Sequence, residues 1–311
     1  MKYTFLMPAY KSAYLRDAIQ SILSQTYTGF QLIISDDCSP EGLKEIVDEF
    51  EDERIVYRRN ESNIGAEHLV DHWNLLLDLC KTEWCIMAAD DDIYAPTFLE
   101  ELDKLQNKYP EVNLLRSRLC VIDGQNEVTY EEGLFHKNVN QITFFTEYHY
   151  NSFHMGIGNY AFHTNVLKEK GGFVRFTSEW YSDNATILMM AEKGCSNTDE
   201  ILFFFRYSGI SISSRKASDY EMKKKTIAMY EYDKWFIKEI NNINSLSCSI
   251  LDKNRLIFCL EQHKSRCYFD KYFFSFKCTF RDYVDVVLTY EPTLRQKVRF
   301  IAKYILAHIN S

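Results

Sequence analysis

Proline and glycine are scarce, at 5 and 11 of 311 residues. That excludes collagen-like and low-complexity chains, and with 46% apolar and 15% aromatic residues the chain has the material for a substantial core rather than for disorder. Glycine-rich phosphate cradles are missing as well: no Gly-x-Gly-x-x-Gly follows a strand, no Gly-x-x-x-x-Gly-Lys-Ser/Thr occurs and there is no Gly-x-Ser-x-Gly elbow. A dinucleotide-dependent dehydrogenase, a P-loop enzyme and an α/β-hydrolase are thereby disfavoured. Basic excess is lacking too. The formal net charge of −8 argues against nucleic acid as a partner and means that an anionic substrate needs a local solution such as a bound cation. The nine cysteines are an odd, scattered set without Cys-x-x-Cys, which fits free thiols in a reducing compartment and not a disulfide frame or structural zinc. No apolar run approaches the roughly 18–20 residues that span a bilayer. The opening Met-Lys-Tyr-Thr-Phe-Leu-Met-Pro is too short for a signal peptide, so a cytoplasmic location is expected.

What is present is alternation. Short apolar runs at Tyr3–Met7, Phe30–Ser35, Arg54–Tyr57 and Trp84–Ala89 read as strands. Between and after them, Tyr14–Gln25, Glu41–Phe50, Ala66–Cys80 and Pro96–Lys108 carry helical spacing. Strands alternating with helices imply parallel βαβ units, in which ligands bind beyond the carboxyl ends of the strands. Val112–Ile122, Val128–Tyr130 and Ile201–Tyr207 read as further strands, with a Gly171-Gly172 turn and a helix from about Asp183 to Lys193. Beyond about Ser214 the texture changes to helices rich in Lys, Tyr and Phe, so a domain of residues 1–215 and a helical appendage of 216–311 are expected.

Two acidic clusters fall at strand ends. Asp36-Asp37 follows Leu32-Ile33-Ile34, and a carboxylate there can accept from a base N–H or a ribose hydroxyl; alternatively Ser39-Pro40-Glu41 reads as a helix start with its cap. Asp90-Asp91-Asp92 follows the strand at Trp84–Ala89. Three adjacent carboxylates repel one another, and a hard cation such as Mg²⁺ removes that cost while bridging to substrate phosphates. The plainer reading is a solvated turn with one Asp capping the helix at Pro96. His68 and His72 share helical i, i+4 spacing, but no third ligand is near in sequence and both are expected at the surface.

Together these residues resemble the inverting family 2 glycosyltransferases of the GT-A fold. The likeness is carried by Pro8-Ala9-Tyr10, the run Ser21–Tyr27, Ile33–Ser39, Asn63-Ile64-Gly65 and Asp90–Pro96, and continues more weakly through Gly171-Gly172-Phe173 and Arg206-Tyr207 to about residue 215. The resemblance implies a Rossmann-like α/β fold and single-sugar transfer from a nucleotide-sugar, a UDP-sugar favoured, to a glycan or lipid-linked acceptor. It implies a nucleotide site at Pro8, Tyr10, Asp37, Asn63, Asp90 and Asp91, and Mn²⁺ or Mg²⁺ on Asp91 and Asp92. Ala89 stands where the family often has an acid, so the register of the acidic element is open by one residue. An inverting transfer needs a general base. The resemblance puts it at Asp183, with Glu179 as runner-up, although Asp183 also reads as a cap for the helix that follows. Arg206, Ser211 and Ser213 are placed to close over the diphosphate, the alternative for Arg206 being a surface charge at a strand end. The Gln-x-x-Arg-Trp element of processive relatives is absent. Leu294–Ile309 sets Arg295, Lys297, Arg299 and Lys303 among apolar residues, a pattern for peripheral membrane contact or for packing on a domain. Two rival functions are a catalytically inactive scaffold of the same fold and a sugar nucleotidyltransferase, whose Gly-rich basic signature is missing.

Overall fold

The computed structural model describes residues 1–150, 153–210, 218–243 and 249–264, with single positions between 294 and 305. The chain divides into two units, Met1–Lys216 and Ala217–Ser311. In the first unit, ten strands form one sheet among the described residues: β1 (Tyr3–Ala9), β2 (Phe30–Asp36), β3 (Ile55–Arg59), β4 (Trp84–Met87), β5 (Ile93–Tyr94), β6 (Leu114–Ile122), β7 (Val128–Glu131), β8 (Asn138–Val139), β9 (Tyr160–His163) and β10 (Cys195–Arg206). Their order is β3-β2-β1-β4-β9-β6-β10-β5, with β7 beside β6 and β8 beside β10. The β3-β2-β1-β4 half is parallel, as the alternation predicts. β9 then enters antiparallel between β4 and β6, and β6 runs parallel to β10.

The helices of this unit are α1 (Leu15–Leu23), α2 (Leu43–Val47), α3 (Leu69–Leu79), α4 (Phe98–Lys108), α5 (Gln141–His149), α6 (Thr164–Glu169) and α7 (Ser182–Met190). β1, β2 and β4 are continuous buried runs, as expected of parallel strands covered on both faces. One cluster joins Tyr3, Phe5, Met7 and Ala9 of β1 to Leu32 and Ile34 of β2 and to Leu15, Ile19 and Ile22 of α1.

Several boundaries differ from those read in the sequence. α1 stops at Leu23 because Gln25 turns away: its Nε2 donates to the Ala95 carbonyl at 2.7 Å, and its Oε1 accepts the Leu99 amide at 3.0 Å, capping α4 from outside. Thr26 adds its amide to the Pro96 carbonyl at 2.8 Å, so the Ser21–Tyr27 run staples α1 to α4. The second helix begins only at Leu43, after Gly42 at φ +66°, and Ser39 is therefore not its cap. The third opens with a 3₁₀ turn at Ala66–His68. The strand expected at Ile201–Tyr207 starts at Cys195, because the polar side chains of Ser196, Asn197 and Thr198 are buried and donate to Asn138 Oδ1 and to the His136 and Glu200 carbonyls. The six cysteines among the described residues are free.

In the second unit, α8 (Asp219–Asn242) starts with a reciprocal Ser218–Glu221 capping box, and α9 (Ile250–Lys264) has Ser249 and Asp252 bonded in the same way. Ser211 and Ser213, and most of residues 294–309, lie outside the described residues; Leu294, Val298, Ile301 and Ile305 are exposed. Among the described residues no helix is long and apolar enough to cross a membrane.

Candidate active site

Parallel pairing sets β1 beside β2 with Pro8 opposite Ser35 and Ala9 opposite Asp36, and β4 on its other side, so the Tyr10, Asp37 and Asp90 segments leave the sheet together. Backbone and side chains tie them. The Asp37 amide donates to the Ala9 carbonyl at 2.8 Å, and Ser39 Oγ donates to the Tyr10 carbonyl at 2.5 Å. Asp90 Oδ2 accepts the Tyr10 and Lys11 amides, each at 2.8 Å, while the Tyr10 ring stays 41% exposed and available for a planar ligand.

Asp37 and Asn63 also come together. Asp37 Oδ1 accepts Asn60 Nδ2 at 2.9 Å and the Ile64 amide at 2.8 Å, and Oδ2 accepts the Gly65 amide at 3.0 Å. Asn63 Nδ2 donates to the Asp37 carbonyl at 2.9 Å. Burial works to raise the Asp37 pKa, but the Gly65 and Ile64 amides, with Asn60, more than offset it, so the group ends below its ordinary value. Beside it Asp36 is fully buried and serves the structure: it pairs with Arg59 and accepts from Tyr57 Oη at 2.6 Å and the Ser39 amide at 2.7 Å.

The second cluster is neither solvated nor a cap. Asp91 and Asp92 are 8% and 3% exposed, and α4 is preceded by Thr97 with no side-chain cap on its own N-terminus. Burial raises Asp90; burial and then the Asp90 charge push Asp91 up to about 6; burial and then Asp91 hold Asp92 well above the usual carboxylate range. Asp92 Oδ1 accepts the Arg206 amide at 2.9 Å. Asp91's side-chain oxygens accept no hydrogen bond from another residue among the described residues.

Arg206 is not a surface charge. It is 1% exposed, its guanidinium lies 4.2 Å over the Tyr14 ring, Nε donates to the Asp91 carbonyl at 2.7 Å and Nη1 to the Asp123 carbonyl at 3.1 Å. It therefore props the acidic turn from within. Lys11, whose Nζ reaches the Ile210 carbonyl, is a second cation here, and its charge lowers Asp90 and Asp91. Lys11, Tyr14 and Asn60 also shape this site, although no sequence motif marks them. The signal for Lys11 was its position directly after Tyr10; Tyr14 and Asn60 gave none.

Glu179 lies on the segment that leads into α7 and Asp183 in the first turn of α7, and no hydrogen bond links them to the acidic trio among the described residues. Ser178, Glu179 and Tyr181 all have left-handed backbone, at φ 56°, 56° and 67°, a costly conformation for residues other than glycine. The segment is held by α7 itself: the Val174 amide donates to Thr186 Oγ1 at 2.8 Å and the Phe176 amide to Ser182 Oγ at 3.3 Å. Arg175 pairs with Asp71 at the start of α3. Tyr181, not Asp183, occupies the cap position; Asp183 lies in the first turn and accepts the Asn184 amide at 2.8 Å. Burial pushes Asp183 up to about 6 and Glu179 up to about 7. His68 is exposed as expected and pairs with Asp71, but His72 is 2% exposed, because α3 turns that face inward onto Ser35.

A family model for glycosyl transferase family 2 matches residues 4–169. The chain belongs to that family. An uncharacterized glycosyltransferase of Haemophilus influenzae is 27% identical over 36% of this chain and 37% of its own, and the next relative is matched over 41% of its length, so the chain spans well under half of these two. A putative teichuronic acid biosynthesis glycosyltransferase of Bacillus subtilis, TuaG, is 23% identical over 78% of this chain and 90% of its own. Among solved structures, S. aureus TarS in complex with UDP-GlcNAc superposes with a TM-score of 0.65 at 16% identity, covering 85% of this chain and 73% of that one. A Pyrobaculum calidifontis mannosyltransferase in complex with GDP-Man and Mn²⁺ gives 0.53 at 14% identity, covering 98% and 86%. The architecture is the GT-A fold.

Proposed function

We propose that the chain transfers one sugar from a nucleotide-diphosphate sugar to an acceptor hydroxyl with inversion, a UDP-sugar being the favoured donor. The observation that carries this is Asp91, a carboxylate buried between two others at the end of β4 and left without a hydrogen-bond donor from another residue among the described residues. Such a group is stabilised by a proton or by a positive charge that shares it, and a cation is the partner that also engages a diphosphate.

Asp91 and the remaining Oδ2 of Asp92 are hard oxygen donors suited to Mn²⁺ or Mg²⁺. Among the described residues no group of three His, Cys, Asp or Glu is placed to hold a metal, so donor phosphates and water would have to supply the other ligands. A divalent ion held by these residues would neutralise charge on the leaving diphosphate. The mannosyltransferase neighbour with Mn²⁺ supports this choice of cofactor, and TarS with UDP-GlcNAc supports the choice of donor.

The nucleoside lies against Tyr10, with Pro8 and Asn63 bordering it and Asp37 accepting from its base. Asp90 holds the Tyr10–Lys11 backbone beneath it. Asp183 takes the proton of the acceptor hydroxyl as that oxygen attacks the anomeric carbon; the bond from this carbon to the diphosphate oxygen breaks on the opposite side, and the nucleoside diphosphate leaves. At about 6, Asp183 is ionised at neutral pH and more basic than an ordinary carboxylate. Glu179 is the second candidate for the base. The likeness to TuaG supports a role in polysaccharide assembly, and we place the enzyme in the cytoplasm with a glycan or lipid-linked acceptor.

Thermal-shift titration with UDP, GDP, CDP and dTDP, each with and without Mn²⁺, tests the proposal. One nucleotide is expected to stabilise the chain only when the metal is present. Equal shifts with Mn²⁺ and with EDTA would contradict it.

A further inference from the structure

Helix α3 buries Val70, Trp73, Leu76 and Leu77, and among them a single imidazole, His72, at 2% exposure. A leucine would fill that place without the about 1–3 kcal/mol desolvation cost of a buried polar group. The imidazole is not isolated. His72 Nε2 lies 2.8 Å from Ser35 Oγ and 3.5 Å from Asn60 Nδ2; Ser35 Oγ is 3.5 Å from Asn60 Oδ1; and Asn60 Nδ2 donates to Asp37 Oδ1 at 2.9 Å. Ser35, Asn60 and Asp37 are all buried. A polar chain thus runs from the core side of α3, behind the end of β2, to the carboxylate that faces the site. With the ring proton on Nε2 the chain has one direction: His72 donates to Ser35, Ser35 to Asn60 Oδ1, and the Asn60 amide nitrogen is left for Asp37. Burial lowers the His72 pKa against the pull of Asp37, and Arg58 adds to the lowering, so the ring is neutral near pH 7.

Resting on the assignment of Asp37 to the nucleoside, we propose that His72 is a positioning residue that, through Ser35 and Asn60, orients the Asp37 carboxylate for the base of the donor nucleotide. It touches no substrate. Its removal leaves Asn60 free to rotate and Asp37 with two amides instead of three fixed donors, which weakens nucleotide binding and leaves the transfer step alone.

The test is calorimetric binding of UDP, GDP, CDP and dTDP to the full chain in Mn²⁺, followed by kinetics with the donor of whichever nucleotide the wild type binds. His72→Leu keeps the volume and the burial. It is expected to weaken nucleotide binding about tenfold, the size of one hydrogen bond to a charged group, and to raise donor KM with kcat unchanged. His72→Gln, whose amide reaches towards Ser35, is expected to restore most of the affinity, which a merely structural role would not require. Ser35→Ala breaks the chain at its middle and is expected to match His72→Leu; should His72→Leu not fold, Ser35→Ala decides. Wild-type affinity in a folded His72→Leu or Ser35→Ala chain overturns the inference. Asp37→Asn separates the two levels. Unchanged affinity in Asp37→Asn, or a wild type that binds none of the four nucleotides, overturns the nucleoside site itself, whereas a loss in Asp37→Asn with none in His72→Leu overturns only the role of His72.

Discussion

Asp37 and Asp183 are the same side chain in two opposite settings. Asp37, at the end of β2, is buried but receives three N–H groups from Asn60, Ile64 and Gly65, and its pKa falls. Asp183, in the first turn of α7, is held by one neighbouring amide, and burial drives it up to about 6. The surrounding backbone differs in the same sense. The Asp37 hub is stitched to β1 by the Asp37 amide on the Ala9 carbonyl and to the end of β3 by the Asn60 amide on the Asp36 carbonyl, whereas Asp183 follows a segment with three left-handed residues. Donor density decides the chemistry: a carboxylate saturated with amides is fixed as an anion that accepts hydrogen bonds, and one starved of them is poised to take a proton.

The sharpest way to break that contrast is Asp183→Asn. Turnover is expected to fall about 10²–10⁴-fold, the usual worth of a general base, with donor affinity by calorimetry unchanged. Glu179→Gln is expected to cost far less, and an equal or larger loss there would move the base to Glu179. The pH profile sharpens the same point more gently. Because the base acts when ionised, kcat/KM is expected to climb about tenfold per pH unit below about 6 and to level off above it. A limb bending at about 7 would point to Glu179 instead.

Stability gives a smaller readout with the opposite sign. Asp183 binds its proton more tightly in the folded than in the unfolded chain, so its ionisation destabilises the fold, fully above about 6 and not at all below the ordinary carboxylate range. Asp183→Asn is therefore expected to melt higher than wild type at pH 8, with the gap closing as the pH falls towards 4. The smallest effect concerns the turn that leads to this segment. Gly172 has φ +85°, and a Cβ there would sit 2.4 Å from Asn74 Oδ1, which also accepts the Phe173 amide at 2.8 Å. Gly172→Ala is expected to cost about 1–3 kcal/mol in chemical denaturation.

Much of the parallel half was legible in the sequence, because β1, β2 and β4 are short, mostly apolar runs punctuated by helices of 3.6-residue period. The mixed half was not. α5 buries Phe144, Phe145, Thr146, Tyr148 and His149, a mix of apolar and polar residues that blurs its period, although Asn140, which caps it through the Thr143 amide, was a usable sign. β9 is short and antiparallel, and β10 hides its first half behind buried polar residues paired laterally. At the candidate site, the strand-end carboxylates could be read because their spacing is local. The inward face of His72, the propping role of Arg206 and the Asn60 link depend on partners from 12 to 115 residues away and became visible only in the fold.

The central claim, that Asp91 and Asp92 hold a divalent ion which grips the donor diphosphate, is tested most directly by calorimetry of the nucleotide diphosphate with wild type, Asp91→Asn and Asp92→Asn in Mn²⁺ and in EDTA. The account predicts that wild type loses its affinity in EDTA and that both variants bind weakly and equally in either buffer. Variants that bind as tightly as wild type, or a wild type indifferent to EDTA, would contradict it.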